Sequence, residues 1–325
     1  MLNMFHKMKI SFKKINKKYR IILIFVFLIW TFWFFGFSTL INFFLYKHRG
    51  LEKFPEINSN DNILIIVPHI DDEIISSAGL MQQATKIYAK IKIIYITNGD
   101  NNIYSIIKKD KKFNSNPNEF IKLGEQRMIE GKNAIEKVGL NKDNIIFLGY
   151  PDKGLLSMFS NLNSGKPYVA QGTKLSYNPY KNTFRQEQEY TGNNVLSDLT
   201  QIILDFKPTL IITSHLKDKH TDHKATFLFV EKVIKDTNYK LKVFSFITHY
   251  PKFPQSKKLV MNEFLFPPNK LFIQNYWFSL SLSQEEEQKK LEAINQYSSQ
   301  LSLLSFDDLL KSFVKQNEIF ELIEF

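Results

Sequence analysis

From Asn62 onward the chain repeats one unit: a short β-branched run, a turn rich in polar residues, then a helical segment. The runs are NILIIV (62–67), KIIYIT (92–97), NIIFLG (144–149), TLIITS (209–214) and LKVFSF (241–246). Helical patterns fall at 73–89, 119–139, 194–206 and 222–236. Continuous apolar runs of this length suit strands covered on both faces. Their alternation with helices predicts an α/β, Rossmann-like, doubly wound and mostly parallel sheet. Residues 160–193, rich in Asn, Gly, Tyr and Pro with weak periodicity, read as a long excursion of the kind that often carries function. Residues 284–324 read as helical and close the domain. No internal repeat is visible.

Composition narrows the function classes. The 325 residues are 44% hydrophobic and 23% charged, which is globular. The absence of cysteine excludes disulfides, thiolate zinc sites and cysteine nucleophiles. The net charge of +11 is uneven: residues 1–50 hold nine Lys/Arg and no acid, leaving 34 basic against 32 acidic side chains in the rest. A nucleic-acid protein carries its positive potential on the folded domain; this one does not, so no nucleic-acid partner is expected.

Residues 21–46 hold 26 residues without a charge. At about 1.5 Å per residue they are long enough to cross a hydrocarbon core of about 30 Å. The chain therefore divides into a basic cytoplasmic arm (1–20), a transmembrane anchor (21–46), a linker (47–61) and a catalytic domain (62–325). A buried core helix fits the polybasic flank less well. A cleaved signal peptide has a shorter apolar region and small residues at its cleavage site, and none follow Tyr46. Seven Lys/Arg precede the span, while only Lys47, Arg49 and Lys53 follow closely. The expectation is a single-pass membrane protein with its N-terminus cytoplasmic and its catalytic domain extracytoplasmic.

Two clusters carry chemistry. Pro68-His69-Ile70-Asp71-Asp72-Glu73 directly follows the first run and opens a helix. Sites in open α/β sheets form beyond the C-terminal ends of strands. His69 and Asp72 can both reach one ion across this turn, leaving Asp71 to face a water. The bland alternative is an acidic helix start favoured by the macrodipole. The second cluster, His215 to His223, also follows a strand and opens a helix, and it holds three of the seven histidines. A His–Asp–His set with one open position is the pattern of a catalytic zinc. No second cluster supports a two-metal nuclease or phosphatase.

PHIDDE (68–73), TNGD (97–100), GEQRMIE (124–130), GYPDKG (149–154) and KHTDH (219–223) together resemble the LmbE/PIG-L-type zinc de-N-acetylases. That family includes the N-acetylglucosaminyl-phosphatidylinositol deacetylase and enzymes of mycothiol and bacillithiol synthesis. The resemblance spans roughly 62–235 and extends loosely to KKLEAINQYSSQL (289–301). It implies an LmbE-like fold, with His69, Asp72 and His223 as ligands of Zn2+, although His/carboxylate sites also accept Fe2+. It implies Asp71 as general base and His220 as partner of the tetrahedral intermediate, with Asp222 orienting an imidazole. Arg127 and Asp152 match substrate-contacting positions, and Asn98 and Asp100 match a loop near the site. Ile70 and Thr221 stand where the family commonly has Pro, so the turns lose some stiffness but no ligand.

The chemistry is coherent by itself. A bound divalent ion lowers the pKa of water to about 7 and polarises a carbonyl, a carboxylate takes the remaining proton, and a donor stabilises the oxyanion. The reading is a membrane-anchored deacetylase of an N-acetylated amino sugar in a lipid-linked or cell-envelope glycan. Its rivals are a phosphatidylinositol-glycan deacetylase of an internal membrane and an inactive glycan-binding relative. Weaker candidates are His249 at the site rim and Tyr276-Trp277-Phe278 as a sugar platform, with core packing the rival reading of the aromatics. For Arg127 the rival is a surface ion pair with Glu125 or Glu130. The charged first half of 284–301 reads as a solvated face.

Overall fold

The computed structural model describes residues 16–31, 51–110, 116–272, 275–301 and 304–325. By internal contacts it divides into two units, 1–51 and 52–325. The first contains helix α1 (Lys17–Thr31), whose apolar side chains from Ile21 to Trp30 are exposed.

The second unit is built on one eight-stranded sheet. Along the chain run β1 (Glu52–Lys53), β2 (Asn62–Val67), α2 (Asp72–Lys86), β3 (Lys90–Thr97), α3 (Ile103–Asp110) and α4 (Pro117–Lys137). β4 (Ile145–Tyr150), α5 (Leu155–Ser160), α6 (Gly192–Phe206), β5 (Leu210–Ser214), α7 (Thr221–Thr237) and β6 (Lys242–Phe246) follow. The C-terminal part adds α8 (Asn269–Phe272), β7 (Trp277–Ser281), α9 (Gln284–Ile294), α10 (Ser298–Leu301), α11 (Leu304–Lys311) and β8 (Asn317–Ile323). The strand order is β1-β7-β8-β6-β5-β2-β3-β4. Strands β2 to β6 pair in parallel, and β8 lies antiparallel between β6 and β7. This is an α/β, Rossmann-like, mostly parallel sheet, and all five expected strands and all four expected helices are present within a few residues.

Strand β2 explains why the sheet is covered on both sides. Ile63 through Val67 are fully buried, so neither face of this strand meets water. Leu64, Ile66, Ile94 and Leu148 join side chains of α5, α6 and α7 in one core cluster. Helix α9 packs against both α2 and α4. Capping sets the helix starts. Asn116 and Glu119 form a reciprocal capping box with Pro117 at the first helical position, and Ser283 and Glu286 do the same for α9. The chain runs from β2 outward to β3 and β4, then returns to place β5 on the other side of β2. The crevice at that switch, past the ends of β2 and β5, is where the two histidine clusters meet.

The C-terminal region departs from its reading as helical. Residues 317–323 form β8, inside the sheet, and 277–281 form β7. The charges of NEIFELI disguised the strand. Glu318 is buried because it pairs with buried Lys290 at 2.8 Å, and because it accepts the backbone N–H groups of Gly79 and Leu80 at 2.8 and 3.0 Å. Those two donors follow a kink in α2 at Ser77, where φ is −139°. The charged start of α9 is solvated only in part: Gln284, Glu285 and Gln288 are exposed, while Glu286, Glu287 and Lys290 are buried. Part of the stretch read as a linker also joins the sheet, because Glu52–Lys53 pairs with β7 and Phe54 packs on Phe244 and Phe320.

The membrane reading is corrected. Helix α1 has 15 residues, about 22 Å at the α-helical rise and short of a hydrocarbon core of about 30 Å. Among the described residues no helix is long and apolar enough to cross a membrane; residues 32–46 of the expected span lie outside the described residues. Apolar composition over 26 residues does not by itself make one continuous helix of that length. The single-pass localisation, the membrane as a partner and the lipid-linked or envelope substrate all rested on that anchor, and they fall with it.

Glu318→Ala would strand the Lys290 ammonium and two helix N–H groups away from water. It should cost about 3–5 kcal/mol in urea unfolding. Lys86→Ala, which removes the largely exposed partner of Glu286, should cost under about 1 kcal/mol.

Candidate metal site

The turn after β2 places His69 at the sheet's end and starts α2 at Asp72. Asp71, between them, has φ 143° and ψ −27°, a region that costs a non-glycine residue of order 1–3 kcal/mol. Several bonds hold the turn: the Asp71 N–H donates to Glu73 Oε2 at 3.0 Å, and Arg127 Nη2 donates to the Ile70 carbonyl at 2.6 Å. Ile70, where the family commonly has Pro, is fully buried, so packing supplies stiffness that the sequence left open. The turn after β5 leads into α7, capped by His220, whose Nδ1 accepts the Asp222 N–H at 3.2 Å.

The two turns meet. Asp72 Oδ2 lies 3.3 Å from His69 Nδ1 and 3.3 Å from His223 Nε2. On a tetrahedral zinc with bonds of about 2.0–2.1 Å, two donor atoms lie about 3.3 Å apart. Neither ring nitrogen of fully buried His223 makes a well-formed hydrogen bond: Nδ1 faces Asp218 Oδ2 at 3.3 Å, which leaves Nε2, beside Asp72, as the nitrogen available to an ion. Among the described residues, the groups whose ligand atoms all lie within 4.8 Å of one another are His69, His220 and His223, and His69, Asp152 and Asp222; the expected set of His69, Asp72 and His223 is joined through Asp72. A buried His/Asp cluster that can coordinate a divalent metal is therefore present.

Its electrostatics call for a cation. Burial opposes charge on His69, yet Asp152, Asp222 and Asp72 raise its pKa well above the usual imidazole value. His223 is also buried, but Asp218 and Asp72 hold it up at about 10. Each proton so retained occupies the place of positive charge that the carboxylates demand. Burial, with His69 and His223 beside it, pulls His220 down to about 3. Neutral His220 accepts at Nδ1 and so carries its proton on Nε2. Burial lifts Asp71 to about 7 against the pull of Arg127.

The remaining expected residues divide. His69, Asp71, Asp72, Arg127, Asp152, His220 and His249 line one cavity of about 380 Å³. Arg127 is buried rather than paired at the surface with Glu125 or Glu130. Its guanidinium donates to Asp71 Oδ2 at 3.1 Å and to the Gly99 carbonyl at 3.0 Å. Gly99 has φ +61°, and a Cβ there would sit 2.2 Å from Arg127 Nη1. Asp222 lies 3.3 Å from His69 Nε2 and accepts the N–H groups of Lys153 and Leu155, which docks the 149–154 turn. Asp152 Oδ1 lies 3.3 Å from the same His69 nitrogen.

Asn98 is fully buried behind the site with its amide on Met128 Sδ, and Asp100 accepts the Tyr180 hydroxyl at 2.8 Å. His215 points away, bonding Glu321 at 2.5 Å and stacking on Trp277, which packs in β7 rather than offering a sugar platform. Asp218 was overlooked. It is fully buried, faces His223 Nδ1 at 3.3 Å and accepts the N–H groups of His220, Thr248 and His249. Its place between His215 and His220 was the available signal. Asn102, Tyr104, Lys153, Gln300, Leu309 and Leu310 also line the cavity; Lys153 falls within GYPDKG and Gln300 within KKLEAINQYSSQL, and the others carried no sequence signal of their own.

The family profile described as PIG-L, GlcNAc-PI de-N-acetylase, matches residues 64–234. A search of curated protein sequences matched none. Among solved structures, the fold resembles the deacetylase–bog complex of the teicoplanin biosynthesis pathway at 16% identity, covering 80% of this chain and 97% of that one with a TM-score of 0.50. It also resembles the zinc-inhibited form of teicoplanin deacetylase Orf2 at 19% identity, 80% and 97% coverage and a TM-score of 0.50. These two likenesses are of fold. The family match runs from β2 through α7, more than half of the chain and both metal-binding turns, and this protein belongs to the PIG-L GlcNAc-PI de-N-acetylase family.

Proposed function

We propose that this chain is a zinc-dependent hydrolase that removes the acetyl group from an N-acetylated amino sugar. The observation that carries the reading is Asp72 Oδ2 seated 3.3 Å from imidazoles of two different turns, in the floor of a cavity. His69, Asp72 and His223 would hold the ion, which supplies Lewis acidity and lowers the pKa of water. Asp71, on the cavity wall, takes the proton from the attacking water, and Arg127 aims its carboxylate. His220 donates its Nε2–H to the developing oxyanion. Asp152 and His249 line the cavity within reach of sugar hydroxyls, and Asp222 and Asp218 fix the rings of His69 and His223. Asn98 supports the floor from behind.

Purified protein should release acetate from N-acetylglucosamine or its oligomers, lose that activity on chelation and regain it with zinc. Release that survived complete metal removal would sink the assignment. His69→Ala and Asp71→Ala should each lower kcat/KM by about 10²-fold or more. Asp218→Asn should weaken zinc binding by about 10–100-fold in a competitive chelator titration. Gly99→Ala pushes the Arg127 guanidinium off Asp71 and should lower kcat by about tenfold, with zinc content per chain unchanged.

A further inference from the structure

Two carboxylates of the sequence motifs have no part in the chemistry above, and both turn toward the C-terminal segment. Glu73 is fully buried and accepts the hydroxyl of Tyr297, itself fully buried. Through its other oxygen Glu73 accepts the Asp71 N–H at 3.0 Å. Glu130 accepts the Ser298 hydroxyl at 2.7 Å, the Ser299 N–H at 2.9 Å and the Ser299 hydroxyl at 2.6 Å. The Ser105 hydroxyl donates to the Ser299 carbonyl at 2.9 Å. Tyr297 is thus pinned from the residues beside it, and its hydroxyl ends a line of contacts that runs to the strained backbone of Asp71. It lies beyond residue 234, where the family match ends.

We propose that Tyr297 and Glu73 are positioning residues for Asp71, so that the C-terminal segment completes the catalytic turn. The φ of 143° at Asp71 is a conformation that other backbone geometries outcompete unless something holds it. Glu73 holds the N–H of that residue, Arg127 its carboxylate and the carbonyl before it. Without the Tyr297 hydroxyl, the fully buried Glu73 carboxylate loses its one well-formed side-chain donor, with only the Tyr95 hydroxyl, which makes no well-formed hydrogen bond, beside it, and Glu73 is held less firmly on the Asp71 N–H. The assignment of Asp71 as base, on which the kinetic part of this inference rests, is that of the proposed function.

The test uses the full-length, zinc-loaded protein. Tyr297→Phe should lower kcat for acetate release by about tenfold with KM and bound zinc unchanged. On an Asp71→Asn background the same substitution should change the residual rate by less than about twofold. An equal loss in both backgrounds would overturn the proposal. Amide hydrogen exchange reads the same coupling without turnover: in Tyr297→Phe the amides of 70–73 should exchange at least about tenfold faster, with those of β5 and β6 unchanged. Unaltered exchange at 70–73 would also overturn it. A wild-type protein that releases no acetate refutes the hydrolase reading alone, and exchange then decides the positioning. If Tyr297→Phe does not fold, Glu73→Gln carries the exchange measurement; loss of the fold in both would make the pair structural and the proposal wrong.

Discussion

The crevice at the switch point is governed by the cost of taking carboxylates out of water. Asp71, Asp72, Asp152, Asp218 and Asp222 are all buried around two imidazoles. Each buried ion carries a desolvation penalty of several kcal/mol unless something compensates it. Backbone N–H groups offset part of this at Asp218 and Asp222. Arg127 offsets part at Asp71. Asp72 and Asp152 remain beside the imidazoles of His69 and His223, in a buried His/Asp cluster that can coordinate a divalent metal. The elevated pKa values of both histidines express the same demand in protons.

That arrangement constrains the fold around it. Its donors come from two turns separated by about half the chain, so β2 and β5 have to lie side by side, as they do. The 149–154 turn is drawn in by Asp222, and the stretch after β6 by Asp218. The C-terminal region adds a second set of buried acids with outward-reaching partners. Glu318 mends the kink of α2, Glu73 meets Tyr297, and Glu130 gathers Ser298 and Ser299. These contacts join the metal turn to chain that lies beyond the family match. The C-terminal segment is consequently part of the site's support, and through Gln300, Leu309 and Leu310 part of the cavity wall.

The legible part of the chain was local. Runs such as NILIIV announce strands through side chains that follow one another, and the histidine clusters announce themselves by falling at strand ends. The failures have a common cause. NEIFELI carries two glutamates, and only distant partners make their burial tolerable: Lys290 with the Gly79 and Leu80 N–H groups for Glu318, and His215 for Glu321. Glu286, Glu287 and Lys290 of QEEEQKK looked solvated for the same reason. Arg127 looked as much like a surface ion pair as a site residue, because its partners Asp71, Ile70 and Gly99 come from two other turns. The uncharged run 21–46 was read as a span from composition, but among the described residues no helix is long and apolar enough to be one.

The sequence by itself determined the strand–helix alternation, the placing of His69, Asp72 and His223 at strand ends, and the kinship of the motifs. Each of these is written in residues a few positions apart, where backbone periodicity and turn geometry act directly. Only the tertiary structure decided that the two turns share one Asp72 oxygen, that Asp218 backs His223, and that Tyr297 reaches the support of Asp71. Those facts depend on groups brought together from far along the chain, and a buried charge is tolerable only where its partner arrives.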